Sequence, residues 1–248
     1  MPDGEPPVRA SFEITTEREP SATLLAGFSE FGLAGLTAVD YLADHLGLEE
    51  TGHVTADQLP AITPFENGRP RHHTRLFSRP DLDVTILLGE LFVPAWAADS
   101  FGRSVLDWTE ANGVEEIAVL SGVPVPHGPE EHRVFHIATE DYHDSRLADA
   151  DVPGMGRGFL DGVNATLVGQ GIDSPLGVGV YVTPVHAQAP DVEAALRLIA
   201  AVDEVYDLDV DTGPLEAFAE EVSGYYEELS ARLQAASEEE HATDRMFM

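Results

Sequence analysis

The chain has 248 residues and carries 45 acidic against 13 basic side chains, every basic one an arginine, for a formal charge of −32. That charge disfavours nucleic acid and anionic membranes as partners. The absence of cysteine excludes disulfides, thiolate catalysis and cysteine–zinc sites.

The 43% apolar content supports a substantial core, and the acids are spread along the whole chain. They read as a solvated surface suited to a salt-rich cytoplasm, because molar salt shortens the reach of self-repulsion to about 3 Å. Met1–Pro7 is polar and proline-rich, unlike a signal peptide. No apolar run approaches the ~20 residues of a membrane span. A soluble, cytoplasmic protein is expected.

Residues 8–16 alternate as an edge strand would. The apolar run Thr23-Leu24-Leu25-Ala26 is too short for a helix and stops at Gly27. The chain then passes through Gly32 and Gly35 into a helical pattern with apolar positions at Leu36, Val39, Ala43 and Leu46. Strand, turn and helix make the first half of a βαβ unit. Such a turn lies at the carboxyl end of a strand, where α/β proteins place ligands. Gly27, Gly32, Glu30 and the later Ser121 therefore form a candidate ligand turn. The three glycines lack dinucleotide-fingerprint spacing, and no Lys-Ser/Thr follows Gly32. Glu30 puts a carboxylate near the helix start, where an anionic ligand would otherwise sit. Glycines serving a tight turn and close helix packing are the preferred reading.

Further strands are expected at 51–56 and 72–78, around a polar loop Leu59–Pro70. The stretch RPRHHTRLFSRP gathers Arg69, Arg71, Arg75 and Arg79. Charged side chains guarding a sheet edge are preferred there over an acid-seeking contact face. Asp83–Glu90 is a buried, parallel-type strand. A helix over 95–112 has apolar positions at Trp96, Phe101, Val105, Leu106 and Trp108 and ends at Asn112-Gly113. Glu116–Gly122 completes a βαβ crossover, and a proline-rich loop leads to a strand over Val134–Thr139. Residues 154–171 read as helical from Phe159, and Leu176–Thr183 as a third buried strand. Asp191 caps a helix running through Tyr206, with core positions Leu196, Ile199, Val202 and Val205. Pro214 opens a final helix carrying Leu215, Phe218, Val222, Tyr225 and Leu229.

The expected architecture is a single three-layer α/β/α domain with a mainly parallel, mixed sheet, spanning 1–236. A disordered acidic tail over 237–248 follows the C-terminal helix.

Catalytic constellations are thin. Ser121 ends a strand, but L-S-G is not a nucleophile elbow. His132 and His136 have i, i+4 spacing, yet they run into a β-patterned segment where that spacing separates them. His72 and His73 point to opposite faces of a strand. No catalytic residue, cofactor site or metal site is assigned.

The unusual feature is the ending Arg245-Met246-Phe247-Met248, apolar on an acidic segment. An apolar tripeptide with a terminal carboxylate has the form of a peptide ligand.

The stretches TLLAGFSEFGLAG, PDLDVTILLGE, GVEEIAVLSGVP and DVEAALRLIAAVDEVYDLDVDTGPLEAFAEEV together resemble the proteasome assembly chaperone family in its archaeal branch. The resemblance implies an α/β fold related to nucleoside phosphorylases, homo-oligomers and no catalysis. Some members of that family carry a C-terminal hydrophobic–tyrosine–any-residue motif that docks between proteasome α subunits. Met246, Phe247 and Met248 match that motif with phenylalanine in place of tyrosine. Ser29-Glu30 stands where family members often have Pro-Gly. Two alternatives remain: a small-molecule enzyme, phosphorylase- or hydrolase-like, acting at the strand ends near Gly27 and Ser121, and an oligomeric structural protein.

Overall fold

A computed structural model describes residues 9–125, 128, 131–186 and 190–222. Two compact units divide the chain, Met1–Val210 and Asp211–Met248. The first unit opens with β1 (Ser11–Thr16), whose side chains alternate between exposed and half-buried as an edge strand requires. Next comes β2 (Thr23–Phe28), buried at all six positions, which is why it reads as a continuous apolar run. A 3₁₀ turn, Phe31–Leu33, leads into helix α1 (Ala34–His45).

Strand β3 (Glu49–Asp57) is joined to β6 (Thr74–Ser78) through a small hairpin of β4 (Phe65–Glu66) and β5 (Arg69–Pro70). Then follow β7 (Thr85–Gly89), helix α2 (Ala95–Ala111) and β8 (Glu116–Val123). Strand β9 (Phe135–Ala138) runs into a short helix α3 (Glu140–Tyr142) and a single π turn, His143–Leu147. Helix α4 (Gly162–Gly171), β10 (Gly177–Pro184) and α5 (Val192–Tyr206) complete the unit.

The eight-stranded sheet has the order β1-β3-β6-β7-β2-β8-β10-β9. Its centre, β7-β2-β8-β10, is parallel, and the pairings outside it are antiparallel. Helices α1 and α5 pack together, as do α2 and α4, so the sheet lies between two helical layers. The principal core fills the α2–α4 side, with Phe101, Val105, Ile117, Val119, Leu167 and Val180 all buried. Phe101 takes Phe12 and Phe28 edge-on at 5.0 and 5.5 Å.

Close packing needs glycine on the α1 side. A Cβ on Gly35 would stand 1.8 Å from the Leu120 carbonyl oxygen, and one on Gly27 would stand 2.2 Å from that of Gly35. The helix therefore rides on the backbone of β2 and β8 at these points.

Several expectations are corrected. Trp96 is exposed, because its side of the first turn of α2 faces away from the core that buries Ala97 and Ala98. Helix α4 starts at Gly162, not Phe159, whose side chain is fully exposed. In α5 Ile199 and Val202 are buried as expected, Leu198 joins them, and Leu196 and Val205 are only half-buried. The arginine-rich stretch guards no edge, because β6 lies inside the sheet between β3 and β7. Its arginines are used within the chain. Arg71 pairs with Glu90, Arg75 is buried between Glu50 and Glu90 at 3.8 and 3.7 Å, and Arg79 pairs with Asp81 at 2.6 Å.

The other end of the sheet, where the parallel strands begin, holds a buried polar knot. Glu116 accepts from Thr23 at 2.8 Å and from Arg146 on the π turn at 2.9 Å. The Tyr142 hydroxyl meets those of Tyr206 and Tyr181 at 2.6 and 3.1 Å.

In the second unit residues 213–222 are helical, with Pro214 in the first turn as expected and the Thr212 carbonyl accepting from Leu215 and Glu216. Tyr225, Leu229 and the ending Met246, Phe247 and Met248 lie outside the described residues.

Candidate functional site

The candidate turn lies where β2 and β8 end side by side, with Gly27 paired to Leu120. The first helical turn after β2 is not regular. Gly32 has φ +67° and Leu33 φ +50°, a left-handed pair that redirects the chain into α1. Gly32 suits this position because it has no Cβ to collide in that conformation. Its carbonyl accepts the amide of Asp191 at 2.8 Å, tying the turn to the start of α5.

Glu30 does not cap α1, as its place in the sequence suggests. Its backbone is extended, its side chain makes no capping bond, and its carboxyl turns across the end of β8. Ser121 Oγ donates to Glu30 Oε2 at 2.6 Å. Asn164 Nδ2 donates to Ser121 Oγ at 3.0 Å and to both Glu30 oxygens at 3.3 Å. Burial holds the Glu30 carboxyl above the ordinary carboxylate range, assisted by Asp161 and opposed by the bonds from Ser121 and Asn164.

The structure therefore brings Glu30 and Ser121 together, as their places in the sequence suggested. It adds Asn164, which sequence reasoning missed. Asn164 is the third residue of α4, and nothing in GVNATL distinguishes it from an ordinary helix residue. It is buried, and its Oδ1 has no partner among the described residues. Turning the amide over would set that oxygen against Glu30, so Glu30 fixes its orientation. Gly27 contributes close approach only, with its missing Cβ facing α1.

Chemically, the arrangement is an acceptor carboxyl satisfied by two donors, and Ser121 spends its proton on Glu30. A nucleophilic serine needs a base that is free to take that proton. Here the carboxyl is occupied by Asn164 as well.

The histidines are dispersed. His136 Nδ1 bonds the Val152 carbonyl at 2.8 Å, whereas the His132 ring lies edge-on to His186 at 6.0 Å. His72 stacks on His53 at 3.7 Å, and His73 bonds Thr74. Among the described residues no three His, Asp or Glu side chains are grouped to hold a metal. Asp191 accepts from the backbone of Ala194 and His186 and from His186 Nδ1, each at 2.9 Å. Burial pushes its carboxyl up, but those bonds outweigh burial and hold it below the usual range. No helix among the described residues is long and apolar enough to cross a membrane.

Comparison with solved structures gives the same sheet with its helices on both faces. Pyrococcus furiosus PbaA, an archaeal homolog of proteasome-assembly chaperone, superposes with a TM-score of 0.82 at 18% identity, covering 96% of this chain and 100% of its own. Pyrococcus furiosus PbaB, an archaeal proteasome activator, gives 0.74 at 20% identity over 89% of this chain and 99% of its own. A Thermoplasma acidophilum protein of unknown function gives 0.73 at 22% identity, covering 90% of each chain. No curated protein matches the chain. The model of the PAC2 family matches residues 24–230, so it takes in the sheet from β2 onward, the Glu30 crevice and helices α1 to α5: the chain belongs to the PAC2 family.

Proposed function

We propose that this chain is a non-enzymatic, proteasome assembly chaperone-like adaptor of the cytoplasm, a homo-oligomer that binds proteasome α subunits through its ending. One observation carries the non-enzymatic part. The crevice at the ends of β2 and β8, where this class of fold places a substrate, holds the chain's own Glu30 carboxyl, bound by Ser121 and Asn164. An anionic substrate would have to displace a buried carboxyl to enter. The α-subunit part rests on the family and on the ending. Phe247 would fill a pocket, Met246 would add apolar contact, and the Met248 carboxylate would pair with a cation on the partner.

The test is binding of purified α subunits in molar KCl. Full-length protein is compared with a chain ending at Asp244 and with Phe247→Ala. Both variants should lose capture while the folded domain stays within about 0.5 kcal/mol of wild type. Capture at wild-type strength by either variant overturns the tail as ligand. A saturable rise in Tm with phosphate or a nucleoside would instead favour a small-molecule enzyme at Gly27 and Ser121.

A further inference from the structure

We infer that Asn67-Gly68, at the tip of the β4–β5 hairpin, is a site of spontaneous deamidation, an irreversible modification that unfastens the hairpin. The site is independent of the proteasome reading.

The chain has three asparagines, and two of them, Asn67 and Asn112, precede glycine. An asparagine loses its amide when the backbone nitrogen of the next residue attacks its Cγ. Glycine permits that attack best, since it has no Cβ to crowd the closing ring. The sequence ranks the two pairs equally, and the structure separates them.

Asn112 is held on both sides. Its Nδ2 donates to the Trp108 carbonyl at 2.8 Å, and its own amide reaches the Trp108 and Thr109 carbonyls at 3.1 and 3.3 Å. The Val114 amide, just past Gly113, returns to the Thr109 carbonyl at 3.0 Å. Trp108 and Val114 are both buried, so freeing this pair means opening the end of α2 against the core.

Asn67 has none of these restraints. Asn67 and Gly68 are the two central residues of the hairpin, at φ +49° and +76°, as a type I′ turn requires. Both are exposed, and no side-chain bond holds the Asn67 amide among the described residues. Closing the ring rotates the Asn67–Gly68 peptide out of the turn, so the rate follows opening of the hairpin. That opening is cheap. Strands β4 and β5 pair over two residues each and form a sheet of their own, apart from the eight-stranded one. Beyond them the Arg71 amide donates to the Pro64 carbonyl at 2.9 Å, but Pro64 has no N–H to return the bond. Two-stranded ribbons this short are marginal in water.

The chemistry balances with water as the one co-reactant. The Gly68 nitrogen gives up its proton to hydroxide and forms a bond to Asn67 Cγ. The Cγ–Nδ2 bond breaks, and the nitrogen leaves as ammonia with a proton from solvent. Water then opens the succinimide at either carbonyl, giving an aspartyl or an isoaspartyl residue, the latter with the main chain running through Cγ. The net change is water in and ammonia out, with nothing oxidised or reduced. Isoaspartyl linkage lengthens the loop by one backbone carbon, which no longer matches the two-residue turn closing the Glu66–Arg69 pair.

The experiment incubates the full-length protein in molar KCl at neutral and alkaline pH and follows both asparagines by peptide mass spectrometry. Digestion with pepsin in acid halts ring closure, and electron-transfer fragmentation separates aspartyl from isoaspartyl products. Asn67 should convert first, at least about tenfold faster than Asn112, and faster still at alkaline pH because the attacking nitrogen must lose its proton. A broad-specificity protease should then cut within 58–73 in step with isoaspartyl content, while Tm stays level because the hairpin lies outside the main sheet. Asn67→Gln, whose longer side chain closes no five-membered ring, should show neither change. An Asn67 that stays intact, or that converts no faster than Asn112, overturns the site. Conversion that leaves 58–73 as resistant as in fresh protein, or equal cutting of aged Asn67→Gln, overturns the unfastening.

Discussion

Replacing Gly35 by alanine tests whether α1 rides on backbone. In an ordinary helix Gly→Ala stabilises by up to ~1 kcal/mol, through propensity and reduced freedom of the unfolded chain. At Gly35 the new methyl would fall 1.8 Å from the Leu120 carbonyl oxygen and 2.6 Å from its carbon. No rotamer relieves a Cβ clash with backbone. The helix must lift by about an ångström while it also holds α5 and β7. Overpacking of this kind costs up to about 3 kcal/mol or more. Subtracting the helix gain leaves a net loss of about 2 kcal/mol, or about 4–8 °C in Tm for a chain of this length. Gly169→Ala is the internal control. It lies in α4 with nothing within 4 Å of the added methyl, and it should gain about 0.5–1 kcal/mol. Urea unfolding in molar KCl, following the Trp108 fluorescence, reads both. Equal signs for the two substitutions would refute the close-approach account.

Other expectations follow from the same structure. Ionised Glu30 is a cost to the fold, because burial holds its folded pKa above the ordinary carboxylate value of 4.5. Glu30→Gln should therefore gain stability relative to wild type as pH rises above that value, and the difference should close below it; a constant difference from pH 4 to 8 would count against the buried carboxyl. Asp191→Ala removes the cap of α5 and both His186 bonds, so it should cost about 2 kcal/mol at neutral pH. Since the Asp191 pKa is depressed, that cost should fade as pH drops below the ordinary aspartate value of 3.8 and through the folded pKa, which thermal melts across pH would show. Dialysis from molar to ~10 mM KCl lengthens screening from about 3 to 30 Å and should lower Tm sharply; a level Tm would argue against salt adaptation.

The fold was legible where burial writes itself into local pattern. Strands β2, β7, β8 and β10 were readable as short apolar runs, and the Asp191 cap as an acid ahead of an amphipathic stretch. What could not be read was side-chain destination. Glu30 sits before a helix, where propensity assigns it to that helix, yet its partners are 91 and 134 residues away. The arginines of 69–79 read as surface charge because the sequence does not say that β6 is interior, with carboxylates of β3 and of the Glu90 segment beside it. Trp96 fits a helical core position by spacing, and only packing decides that Ala97 and Ala98, rather than Trp96, meet the core.

The π turn at His143–Leu147 bears on how the chain tolerates length change. A π turn holds one residue more than an α turn over the same span, and the surplus lies in the stretch that delivers Arg146 to Glu116. Deleting a single residue there would restore ordinary helical winding and swing the guanidinium by about 100° around the axis, away from a carboxylate that only Thr23 would then accompany. Relatives of differing length should accordingly place their insertions and deletions in the 58–73 hairpin, whose ends return to adjacent strands β3 and β6, and keep the count through 139–147 fixed.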